Sequence, residues 1–330
     1  MPQGTAASSA VDDLRSFGKQ SITQGSKSFA MASFFFNEAM QADAQMLYAW
    51  CRHCDDVIDG QTMGGDAPSA ELSPDDRRVL VGMLREKTLQ AMSGHTTGQP
   101  AFDAFGVVAR RHNLPKDYPL DLIDGFAMDI IPQEGMTMTD LLKYCYGVAG
   151  VVGVMMAIIM GVDREDRATL ERACDMGLAF QMTNICRDIL DDARGGRIYL
   201  PTELLRRHGV SADPASVLDP DNREAIWRLS LELLDLADEY YRSATEGIRR
   251  LPPRAAAAIA AARNIYRDIG HRIHYGGPDI WDSRVVVSKP RKLYLAVLGS
   301  FTGGAASFLR RGDEMASRSG LWQRPLRESA

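Results

Sequence analysis

The sequence predicts an all-α protein folded as a single domain. Three observations carry that expectation. Apolar residues recur three and four positions apart along most of the 330 residues. No stretch keeps the period-two alternation of a half-buried strand. None of the breaks between the periodic runs is long enough, or distinct enough in composition, to be an interdomain linker.

The elements follow in order. The ends, 1–18 and 312–330, are expected as loosely held tails around one helical domain over 19–311. Helical periodicity runs through 28–50, 78–92, 120–130, 138–160, 168–192, 224–250 and 254–274. The breakers GQTMGGDAPSAELSPDD, SGHTTGQP, ARGG, SADPASVLDPDN and YGGPD fall between these runs. Ser73-Pro74-Asp75-Asp76 reads as a helix start, with Ser or Asp to cap and Pro in the first turn. The uncharged run 144–162, YCYGVAGVVGVMMAIIMGV, is long enough to span a membrane. Its glycines, its tyrosines gathered at one end and its lack of a basic flank favour a buried helix instead.

A composition 45% hydrophobic and 25% charged is that of a soluble globular protein. The net charge of −5 argues against a nucleic-acid partner. Five cysteines make no even disulfide framework, and the N-terminus has no signal-peptide apolar run. Reduced thiols and a cytoplasmic location are expected.

Two polar strips interrupt this apolar pattern. On a helix Tyr48, Arg52, Asp55 and Asp59 share one face, and so do Gln181, Asn184, Asp188 and Asp192. A lone pair of this spacing is commonly a solvated face. Two such strips, the second flanked by Leu178, Phe180, Met182, Ile185, Ile189 and Leu190, point to buried carboxylates that need cations or arginines. Oxygen-only donors suit several Mg²⁺ or Mn²⁺ ions and, between them, a diphosphate. Arg52, Arg187 and Arg197 are candidates for direct phosphate contact. The EF-hand spacing is absent. Cys51 and Cys54 lack a second ligand pair for zinc, so they are expected to be packing residues.

In order along the chain, GSKSF (25–29), YAWCRHCDDVID (48–59), YCYGVAGVVG (144–153), QMTNICRDILDD (181–192), GRIYLP (196–201) and YRDIG (266–270) resemble the head-to-head prenyl synthase family, which includes squalene and phytoene synthases. Segments 46–59, 178–184 and 321–326 look most like bacterial members that use C20 substrates. The resemblance implies an isoprenoid-synthase-type helical bundle around a central cavity. It implies two geranylgeranyl diphosphates joined C1 to C1′ through a cyclopropyl diphosphate, ending by proton loss to 15-cis-phytoene, with no NADPH. The alternative is squalene or dehydrosqualene synthesis from two farnesyl diphosphates. Carried over residue by residue, it places metal ligands at Asp55, Asp59, Asn184, Asp188 and Asp192, with Tyr48 and Tyr266 among the catalytic residues. It places diphosphate contacts at Ser26, Ser28, Arg52, Gln181, Arg187, Tyr199 and Arg284. Tyr144, Gly147, Val148, Gly150 and Gly153 would line the prenyl cavity, although the glycines would equally serve close helix packing. A monomer in peripheral contact with membrane lipid is expected, because the product is a hydrocarbon.

Overall fold

The computed structural model describes residues 3–25, 35–60, 73–130, 135–308 and 315–324, and every regular element among them is a helix. The first two are α1 (Gln3–Gly25) and α2 (Glu38–Ile58), the latter capped by the Asn37 side chain, which accepts from the Met40 N–H. Next comes α3 (Pro74–Met92), where Ser73 and Asp76 form a reciprocal capping box at the predicted start. After α4 (Pro100–Arg111) and α5 (Asp117–Ala127), α6 (Met138–Cys145) passes through a π-helical turn at Tyr146–Gly150 into α7 (Val151–Ile159). The long α8 (Arg167–Arg194) leads to the short α9 (Thr202–Arg207) and α10 (Pro214–Leu218). The last three are α11 (Arg223–Ile248), α12 (Pro253–Gly276) and α13 (Lys289–Phe308).

The spine is α8, which packs against α7, α11 and α12. Small residues let it come close to the α6–α7 rod. A Cβ added to Gly177 would lie 2.3 Å from the Ala149 carbonyl oxygen, and one on Gly153 would lie 2.3 Å from that of Ala173. Gly147 meets Gly125 of α5 in the same way, at 2.5 Å. By length and composition Met138–Ile159 could cross a membrane, yet 67% of its most apolar stretch is buried inside the bundle.

Four stretches depart from expectation. Residues 3–25, most of them read as tail, form a helix whose Gly18 sits against the backbone of Gln45 and Met46. Helices α4 and α13 were not legible as periodic runs. The second tail is fixed over 315–324: Arg318 grips buried Asp175 at 2.9 and 2.6 Å, and the Trp322 N–H donates to the Tyr240 hydroxyl at 3.2 Å.

Candidate active site

Between α2, the α6–α7 rod, α8, α11 and α12 lies a cavity of about 440 Å³. Its polar lining is gathered at one end, where Tyr48, Arg52, Asp55, Tyr144, Gln181, Asn184 and Tyr266 meet. The middle is aliphatic and aromatic. At the far end Thr169 and Arg172 are the polar residues of the described lining.

Helical periodicity makes this end. On α2, Arg52 binds Asp55 at 3.0 Å and Asp56 at 2.6 Å. On α8, Arg187 holds Asp188 through Nε at 2.8 Å and a second nitrogen. The two strips are linked across the gap by Arg197, which donates to Asp59 at 3.1 Å. Burial and the neighbouring Asp59 push the Asp55 carboxyl up to about 7. Burial and Asp188 do the same for Asp192, also to about 7. Both feel a third carboxylate, Asp129, which burial raises to about 6 even though the Tyr199 and Tyr144 hydroxyls donate to it.

Among the described residues no three acidic, His or Cys side chains are grouped tightly enough to hold a metal by themselves. The geometry explains this, because the carboxylates are divided between two walls and partly held by arginines. The donor set nevertheless fits hard divalent cations. Its oxygens crowd to the point of raising each other's pKa, and the buried Asn184 Oδ1 has no hydrogen-bond partner. Mg²⁺ commonly takes one or two carboxylates and completes its shell with water and phosphate.

The other expected residues divide. Tyr266 stacks on Phe180, with ring centroids 4.2 Å apart, and both line the cavity. Tyr48 is half-buried in the wall, its hydroxyl raised to about 12, chiefly by burial. Gln181 accepts from Asn184 Nδ2 at 3.3 Å. Tyr199 stacks on Tyr144 and donates to Asp129 at 2.7 Å, outside the cavity lining. Arg284, after the 3₁₀ turn Pro278–Asp282, is exposed and is not in the cavity lining. Of the cavity residues, Val148, Tyr144 and Gly153 line it. Gly147 and Gly150 do not, since the first faces Gly125 and the second faces Leu178 and Cys174. Ser26 and Ser28 lie outside the described residues. Cys51 and Cys54 have thiols pushed up by burial, the inert form. The sequence reading missed Asp129. Its signal was a single acid in the apolar run FAMDIIP.

An apolar helical chamber with carboxylates and guanidinium groups at one end defines a class of enzyme: one that holds an isoprenoid diphosphate by its head and shelters its hydrocarbon. The chain belongs to the squalene/phytoene synthase family, whose model matches residues 22–291, and is a prenyltransferase of that family. It is 46% identical over 307 residues to 15-cis-phytoene synthase of Pantoea ananas, covering 93% of this chain and 96% of that one. To the 15-cis-phytoene synthase of Paracoccus sp. (strain N81106 / MBIC 01143) it is 47% identical over 315 residues, covering 96% and 99%. Among solved structures it resembles a dehydrosqualene synthase in complex with ligand, with a TM-score of 0.76 and 25% identity, covering 88% of this chain and 97% of that one.

Proposed function

We propose that this chain joins two geranylgeranyl diphosphates head to head, through a cyclopropyl diphosphate, to 15-cis-phytoene, releasing two diphosphates. The observation that carries the reading is 46–47% identity, over nearly the whole chain, to relatives of that name. Asp55, Asp59, Asn184, Asp188 and Asp192 would hold divalent cations, Mg²⁺ or Mn²⁺. When bound, these supply Lewis acidity and neutralise the charge of the departing diphosphate.

The chain's own residues do the rest. Arg52, in the lining of the polar end, and Arg187, beside it on α8 but outside that lining, can turn from their aspartates to phosphate oxygens. Ser26 and Ser28 are assigned to the same diphosphates by the family pattern. Phe180, Tyr266 and Phe126 offer π faces to an allylic cation. The aliphatic lining keeps out the water that would quench it. Asp129, held by two tyrosine hydroxyls beside both strips, orders Tyr144 at the cavity wall.

The test is the product. With geranylgeranyl diphosphate and Mg²⁺ but no NADPH, phytoene should accumulate and diphosphate should be released. Turnover of farnesyl diphosphate alone, giving a C30 product, would replace this reading with squalene or dehydrosqualene synthesis. No diphosphate release from either substrate would overturn it.

A site that makes a C40 hydrocarbon belongs beside a lipid surface. Support comes from α13, where Leu293, Tyr294, Val297, Leu298 and Phe301 form an exposed apolar stripe. The helix starts with Lys289, Arg291 and Lys292, a composition suited to an anionic interface. Its opposite face packs on α12, which lines the cavity through Ile259, Ala262 and Tyr266.

A further inference from the structure

The far end of the cavity carries a guanidinium that the proposed chemistry does not use. Arg172 is 4% exposed and is the one charged side chain at that end of the described lining. Its Nη1 donates to the Ser243 hydroxyl at 2.5 Å and its Nη2 donates to the Ala316 carbonyl, while Nε has no hydrogen-bond partner. Ser243 donates onward to Asp175, the carboxylate that Arg318 grips. Opposite stands Gly247, where an added Cβ would come within 2.5 Å of the Arg172 Cβ. Helix α11 closes on α8 at this level because no side chain intervenes.

Burying a guanidinium is costly, and here the Ser243–Asp175 chain and the nearby Glu246 and Glu171 carboxylates offset the cost. A leucine would fill the space. An arginine tied at both terminal nitrogens does something a leucine cannot: its stem cannot swing aside, so it makes a rigid stop. The placement of that stop is informative. Arg172 and Asn184 both line the cavity from α8, twelve residues apart, which is about 18 Å of helix. An extended C20 prenyl chain spans about 19 Å and a C15 chain about 14 Å, taking bonds of about 1.5 Å at near-tetrahedral angles.

We infer that Arg172, fixed by Ser243 and by the 315–324 segment, is the cavity floor that selects the C20 chain over shorter and longer ones. The inference rests on the reading of this cavity as the prenyl site. It assigns the specificity-determining role to a residue outside both aspartate strips.

The test compares kcat/KM for C15, C20 and C25 diphosphates, read as diphosphate release with Mg²⁺. Arg172→Ala strands few groups: Ser243 keeps Asp175, Asp175 keeps Arg318, and Ala316 is an exposed residue whose carbonyl can take water. It should raise the C25:C20 ratio about tenfold, in line with discrimination by apolar pockets. Ala244→Leu, one turn along α11 from Gly247 and also in the lining, should shorten the cavity and raise the C15:C20 ratio about tenfold. Should Arg172→Ala melt early, Ser243→Ala, which unties one end of the same guanidinium, carries the test through the C25:C20 ratio.

Unchanged ratios in the folded variants, or an equal fall for all three substrates, would overturn the floor and leave Arg172 a structural residue. Those outcomes leave wild-type C20 turnover intact. Absence of turnover by the wild-type protein would instead sink the enzymatic reading, and the floor with it.

Discussion

At the scale of single residues the site is a balance of charge. Asp55→Asn removes a carboxylate that burial disfavours, and Arg52 keeps Asp56 at 2.6 Å. The variant should therefore melt no lower than the wild type, yet lose turnover by about 10²–10³-fold, the usual scale for a lost transition-state stabiliser. Near-normal rates in folded Asp55→Asn or Asp188→Asn protein would remove these residues from the machinery. The same balance predicts a pH effect in protein stripped of metal by chelator. Asp55 and Asp192, raised from the ordinary value of 3.8 to about 7, hold protons in the folded state that the unfolded chain has already lost. Stability is then full below about pH 4 for these groups and falls as pH rises towards 7. Melting temperature should drop across that window, with Mg²⁺ restoring it at pH 8 and Asp55→Asn flattening the slope. A flat profile in the wild type would contradict the crowding. These carboxylates were legible in the sequence because polar residues at helical spacing stand out in an apolar helix. Asp129 and Arg172 were not, since a solitary charge has no periodicity and its meaning depends on partners 70 and 144 residues away.

At the scale of elements, glycine means different things at different positions. Gly177 sits where a Cβ would strike the Ala149 carbonyl at 2.3 Å and the Gly150 Cα at 2.6 Å, so Gly177→Ala should destabilise by about 1–3 kcal/mol. Gly82, inside α3 with nothing within 4 Å, should gain about 0.5–1 kcal/mol as alanine. Thermal melts of the two variants should move in opposite directions, and agreement in sign would refute the packing account. Spacing alone could not separate glycines that face a helix from glycines that face a substrate. It also hid α13, whose Gly299, Gly303 and Gly304 break the periodic signal. The helix exists because Gly299 and Gly303 let it rest on Ala261 and Ala256 of α12, where added Cβ atoms would come within 2.6 and 2.5 Å. The long runs were readable because each presents an unbroken apolar face: α8 was expected over 168–192 and spans Arg167–Arg194. α1 and the 315–324 segment owe their order to tertiary contacts that no local pattern announces.

At the scale of the whole molecule, the α13 stripe and the buried α6–α7 rod make separable statements about membranes. Protein bound to anionic liposomes should be released by carbonate, and Phe301→Asp should weaken binding without lowering the melting temperature, since Phe301 is 75% exposed. Carbonate resistance would put Met138–Ile159 across the bilayer and remove the cavity wall it forms. The Arg318–Asp175 clasp has a kinetic consequence. This contact closes a loop of 143 residues, and long loops pay their entropy before the contact rewards it. The clasp should be absent from the folding transition state. Arg318→Ala would then hasten unfolding while leaving the refolding rate nearly unchanged. How long the chamber survives heat would be governed by a bond formed after the chamber itself.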